Sequence, residues 1–161
     1  MANSAIEEST TQEVLDDLQG RFLTFNIDNT YYGVELLHVI EIISVPPITK
    51  IPNLPVYIKG ITNLRGKVVP IIDVRLKFGQ EERAYDDKTC IIVVMINEMN
   101  VGLIVDSVYD VITVGKDESA PPPELGTAST DRYLRSIAKV GDRIVMNIDI
   151  EKFFQSDLQL H

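Results

Sequence analysis

Apolar and polar residues alternate in short bursts along this chain, and the same burst occurs twice. Leu23, Phe25 and Ile27 alternate with Thr24 and Asn26, the two-residue period of a strand with one buried face. Asp28-Asn29 follows, a pair that tolerates the backbone angles of a tight turn. A second strand begins at Tyr31 and crosses Gly33, and Leu36 to Ile40 fit a short helical turn before a strand at 41–43. Laid without a gap on the stretch from Ile91, this pattern puts Gly33 on Gly102. It also puts Val39, Glu41, Ile42 and Ile43 on Val108, Asp110, Val111 and Ile112. A second echo sets Ile61 to Leu64 on Ile137 to Val140, and Val68 to Val74 on Ile144 to Ile150. The chain therefore reads as a duplicated all-β unit. The paired glycines mark the bends that closing a barrel requires.

The remaining elements follow the same plan. Strands at 58–64 and 68–72 are joined at Arg65-Gly66, where the glycine supplies a positive φ. Asp73 caps a short helix that ends near Phe78-Gly79. Later strands fall at 89–96, 100–105 and 110–114. Residues 115–130 read as a loop stiffened by Pro121-Pro122-Pro123, an extended spacer. Thr130-Asp131 starts a short helix carrying Tyr133 and Leu134. A last hairpin over 137–140 and 143–148 precedes a helix capped by Asp149, with Phe153 and Phe154 inward. Two copies are too few for a solenoid, so two closed five-stranded barrels suit the short strands better. The expected division is a flexible arm at 1–20 and one domain at 21–155. Within it, barrel subdomains fall near 21–88 and 89–150, with the last helix packing back. A tail covers 156–161.

Composition narrows the function. The 161 residues carry 15 Lys+Arg against 24 Asp+Glu, a net charge of −9. Such a surface repels phosphate backbones and argues against nucleic-acid binding. No apolar run reaches the length of a membrane span, the first residues lack the pattern of a secretory signal, and one cysteine allows no internal disulfide. A cytoplasmic location is expected.

Candidate chemistry is sparse. His38 and His161 are the only histidines, and Cys90 lies within an apolar strand, where an inert buried thiol is the default. No zinc spacing and no phosphate-binding loop occurs. The acidic pairs Glu7-Glu8, Asp16-Asp17, Glu81-Glu82 and Asp86-Asp87 sit in polar stretches and read as solvated surface. Neither an enzyme nor a cofactor or metal site is expected. What remains is binding, with Arg65 on its turn and Glu41 within reach: an ordinary exposed ion pair, or the organiser of a contact surface.

The stretch Ile58-Lys59-Gly60-Ile61-Thr62-Asn63-Leu64-Arg65-Gly66-Lys67-Val68-Val69-Pro70-Ile71-Ile72-Asp73-Val74-Arg75 resembles the signature of the chemotaxis coupling proteins, the CheW-like family. Val39-Ile40-Glu41-Ile42 and the segment from Val101 to Val108 are similar to two further family blocks. The resemblance spans roughly residues 20–155. It implies two intertwined five-stranded SH3-like barrels without catalytic activity, bridging the cytoplasmic tips of chemoreceptors to the regulatory domain of a chemotaxis histidine kinase in membrane-associated arrays. Carried over by position, Val39, Glu41, Lys59, Gly60, Arg65 and Val108 face the receptor, and Ile42, Val45 and Pro46 lie near the kinase-facing end. The length leaves no room for an ATP-binding or receiver domain, so a stand-alone adaptor is expected, with no direct membrane insertion. Two other classes stay open: a generic SH3-like module that binds proline motifs, for which Tyr31, Tyr32 and Tyr57 are the candidate aromatics, and an enzyme using carboxylates.

Overall fold

The computed structural model describes residues 18–122 and 131–155. Residues 1–17 of the expected arm, the expected tail, and Pro123 to Thr130 lie outside the described residues. Among the described residues eleven strands run in chain order: β1 (Arg21–Ile27), β2 (Thr30–Glu35), β3 (Val39–Ser44), β4 (Ile58–Leu64), β5 (Lys67–Asp73), β6 (Cys90–Ile96), β7 (Met99–Val105), β8 (Ser107–Thr113), β9 (Ser119–Ala120), β10 (Leu134–Val140) and β11 (Arg143–Ile148). Short helices follow β5 (Val74–Lys77) and β11 (Ile150–Phe154). Asp73 and Asp149 cap them as expected, accepting from Leu76 N–H and from Glu151 and Lys152 N–H.

The strands form two SH3-like sheets, a small one in the order β3-β6-β7-β5-β4 and a large one in the order β8-β1-β2-β11-β10-β9. The small sheet is a contiguous run of strands, and the large sheet is built from the two flanks of the chain. The division into subdomains near 21–88 and 89–150 therefore does not describe the sheets. The reason lies in two parallel pairings. β5 runs beside β7 with Ile71 opposite Gly102, and β11 runs beside β2 with Asn147 opposite Gly33. These contacts correspond under the internal repeat. Each half thus completes its sheet with strands of the other.

Both glycines are required by close approach. A Cβ at Gly102 would meet Ile71 Cδ1 at 2.6 Å and Ile91 Cγ2 at 2.8 Å, and one at Gly33 would meet Asn147 Oδ1 at 2.3 Å. The repeat also extends to the backbone: Asp73 N–H donates to the Tyr57 carbonyl at 2.8 Å, and Asp149 N–H to the Tyr133 carbonyl at 2.7 Å.

Burial explains the apolar pattern. β6 is apolar almost throughout because both of its faces are covered. Ile91 and Val93 point into the small barrel, while Ile92, Val94 and Ile96 join the core shared between the barrels. That shared core also takes Leu23, Phe25 and Ile27 from β1, and Ile150, Phe153 and Phe154 from the last helix. Among the described residues it holds 18 buried side chains, against five and three in the two smaller clusters. Burying each large one contributes about 1.5–3 kcal/mol. The barrels are consequently held together more strongly by their junction than by their own interiors.

Two further expectations need correction. The described part of the expected loop, residues 115–122, is not simply a loop. A 3-10 turn (Lys116–Glu118) forms because Glu118 Oε1 accepts from Gly115 N–H at 3.2 Å. β9 then pairs Ser119 and Ala120 with β10. Leu134, expected on a helix, is the first residue of β10, after the 3-10 turn Asp131–Tyr133.

Candidate functional site

β3 and β4 lie at opposite ends of the small sheet, and closing the barrel brings them face to face. The chain leaving β3 does this first. Thr49 and Ile61 exchange backbone hydrogen bonds at 2.8 and 2.9 Å, and Thr62 Oγ1 donates to the Pro47 carbonyl at 3.0 Å. Gly60, with φ +140, permits the crossing, since a Cβ there would lie 2.0 Å from the Thr49 carbonyl oxygen. Arg65 then reaches from the β4–β5 turn across the seam to Glu41 on β3, Nη2 to Oε2 at 2.6 Å.

Arg65 is an unusual choice for its position. Its φ is +53, followed by Gly66 at +82, so both turn residues adopt the left-handed region and the glycine alone does not make the turn. A non-glycine residue pays about 1 kcal/mol there. Asn63 Oδ1 supports the turn by accepting from Gly66 N–H at 2.9 Å. The Arg65 side chain remains 75% exposed while Glu41 is 19% exposed. The guanidinium is thus held on a fixed arm and presented to solvent.

The other candidates fall in three places. Lys59, beside Gly60, is bound to Glu82 and lies 6.0 Å from the Tyr85 ring centroid. Lys59 holds the Glu82 carboxyl below its usual range. Val39 and Val108 are half-buried against the shared core, and Val108 also lines a groove of about 770 Å³ with Tyr31, Tyr109, Arg83 and Asp106. Of the kinase-end residues, Ile42 is exposed on the β3 edge with Ile40. Val45 packs on the small-barrel core, and Pro46 is half-buried. The structure therefore joins Glu41 to Arg65, sets Gly60 against Thr49, and engages Lys59 with the connection after β5.

Three features escaped the sequence reading. Arg143 on β11 binds Asp110 on β8, Nη2 to Oδ2 at 2.9 Å, with its guanidinium 5.2 and 4.9 Å from the ring centroids of Tyr31 and Tyr109. This contact holds the Asp110 carboxyl below its usual range, against an opposing effect of burial. The signal was available, since Asp110 falls on Glu41 in the repeat. The second feature is Asp106, which accepts from Arg75 Nη2 at 2.7 Å, Arg83 Nη1 at 3.4 Å and Asp28 N–H at 2.8 Å. Arg75 is almost buried, so this junction is structural; removing one partner of such a pair is costly. The third is the link from Tyr85 Oη to Asp73 Oδ2 at 2.9 Å. Burial, then the Asp73 charge, raises the Tyr85 phenol.

The three tyrosines considered for proline binding do not share a groove. Tyr32 is buried against Phe25 and Phe78, Tyr57 packs against the shared core near Lys77, and Tyr31 pairs edge-on with Tyr109. Cys90 is half-buried, and burial raises its thiol pKa. Among the described residues no group of three or more His, Cys, Asp or Glu could hold a metal ion. No helix among them is long and apolar enough to cross a membrane.

Residues 21–158 match the CheW-like domain family. The chain belongs to that family. A chemotaxis protein CheW from Klebsiella aerogenes is 40% identical over 136 residues, covering 84% of this chain and 82% of the relative. A chemotaxis protein CheW from Helicobacter pylori is 31% identical over 157 residues, covering 97% and 91%. The crystal structure of the scaffolding protein TtCheW from Thermoanaerobacter tengcongensis superposes with a TM-score of 0.78 at 35% identity, covering 84% of this chain and 92% of that one. The CheW-like match includes both barrels, and with them all the candidate residues.

Proposed function

We propose that this chain is a non-enzymatic chemotaxis adaptor that couples the cytoplasmic tips of chemoreceptors to the regulatory domain of the chemotaxis histidine kinase. The observation that carries this reading is the CheW-like match over residues 21–158, together with relatives named as chemotaxis and scaffolding proteins. The exposed, backbone-fixed Arg65 with its partner Glu41 supports a contact surface. Val39, Lys59, Gly60 and Val108 extend that surface toward the receptor. Ile42, Val45 and Pro46 serve the kinase-facing end, with Ile42 the side chain most open to contact.

In this reading a receptor helical hairpin lays apolar side chains against the junction of the barrels, as helices do in hydrophobic grooves. The kinase's own SH3-like domain meets a barrel end, and alternating copies close rings instead of open filaments. The protein works in the cytoplasm and is drawn to membrane arrays by its receptors.

Co-sedimentation tests the proposal. Kinase should pellet with receptor-tip assemblies only when this chain is added, and its activity should become responsive to the receptor. Unchanged kinase recruitment and activity would overturn it.

A further inference from the structure

We propose that the connection spanning residues 80–89 is a latch over Lys59, and that an acidic partner surface must displace Glu82 to reach that lysine. The inference rests on the adaptor reading above, which places Lys59 on the receptor-facing side.

The two ends of this connection are anchored, since Phe78 and Ile91 are buried. Between them residues 81–88 are all exposed. The stretch is held down by polar side-chain contacts: Glu82 to Lys59, Arg83 Nη1 to Asp106 Oδ2 at 3.4 Å, and Tyr85 Oη to Asp73 Oδ2 at 2.9 Å. The Glu82 and Arg83 contacts are exposed, weak and easily exchanged, whereas the Tyr85 bond to the buried Asp73 anchors the strap, so the segment carrying Glu82 can lift off Lys59 while the barrels stay intact.

Lys59 cannot avoid the strap. Its neighbour Gly60 is fixed by its approach to Thr49, and its own side chain is 19% exposed, against 66% for Glu82. Glu82 and the Tyr85 ring cover it. A carboxylate arriving from a partner helix therefore competes with Glu82 for one ammonium group. The strap also carries Arg83, which lines the groove beside Val108. Lifting it would alter both patches at once, so binding at Lys59 and opening beside Val108 are linked.

Affinity for a receptor-tip hairpin fragment, measured calorimetrically on the full chain, tests the latch. Glu82→Gln should bind about two- to fivefold more tightly than the wild type, the range set by one exposed pair. The gain should vanish in a Lys59→Ala background. Equal or weaker binding by Glu82→Gln, with normal wild-type binding, would overturn the latch alone. A gain that persists without Lys59 would also overturn it. No binding by either form would overturn the adaptor reading on which it rests.

Discussion

Arg143 stands to Asp110 as Arg65 stands to Glu41. Asp110 falls on Glu41 in the repeat and Gly141 falls on Arg65, so each barrel clamps its seam with an arginine at or just beyond the same turn. The two solutions differ. The large barrel keeps Gly141 at φ +61 in the turn and sets Arg143 on the strand, its side chain 24% exposed and flanked by two tyrosines. The small barrel places the arginine itself in the left-handed position and leaves it 75% exposed. The first clamp is structural, and the second is available to a partner.

Replacing Arg65 by glycine should separate these roles. Arg65→Gly relieves backbone strain of about 1 kcal/mol and gives up an exposed ion pair worth less than about 1 kcal/mol. Stability from urea unfolding should change by less than about 1 kcal/mol, while receptor-dependent recruitment of kinase falls. Loss of the folded state would mean that the arginine serves the fold instead.

Asp110 should make the large barrel acid-sensitive. Its carboxyl pKa is lowered in the folded protein, chiefly by the hydrogen bond from Arg143. A lowered carboxyl contributes fully above its unfolded value of about 3.9, and the contribution is lost as pH falls through the folded value. The stability deficit of Asp110→Asn relative to wild type should therefore shrink between about pH 6 and about pH 3. Equal deficits at both ends of that range would exclude the Arg143 contact as a source of stability.

Gly102→Ala should destabilise by about 1–3 kcal/mol, the usual cost of overpacking a filled core. The new methyl would press on Ile71 Cδ1 at 2.6 Å and Ile91 Cγ2 at 2.8 Å. Adding Ile71→Val removes the nearer atom and should recover part of the loss in a double-mutant cycle. Strict additivity of the two changes would mean that β5 and β7 do not meet at this point.

Much of this architecture was legible in the chain. Alternation in β1 identified its buried face. The match of Gly33 to Gly102 identified the repeat, and Asp73 and Asp149 identified the short helices after β5 and β11. Each is a local signal, readable within a few residues. Periodicity assigns a face but names no partner, so the parallel pairings of Ile71 with Gly102 and of Asn147 with Gly33 were invisible, and the subdomain boundary was misplaced. The Arg65–Glu41 pair was legible because both residues fell in recognisable blocks. Arg143, Asp106 and the Tyr85–Asp73 link were missed because folding, not sequence distance, brings their partners within reach.

The strands of the small barrel are inserted along the chain between those of the large one, making it the inner barrel in sequence, and this has a consequence for biosynthesis. Every strand of the inner barrel has emerged from the ribosome once Val105 is out, whereas the opening hairpin, β1 and β2, waits for β11 to be translated before its sheet is complete. With elongation at about 5–20 residues per second, that hairpin spends seconds with an edge unpaired. The nascent domain is most vulnerable at its first hairpin.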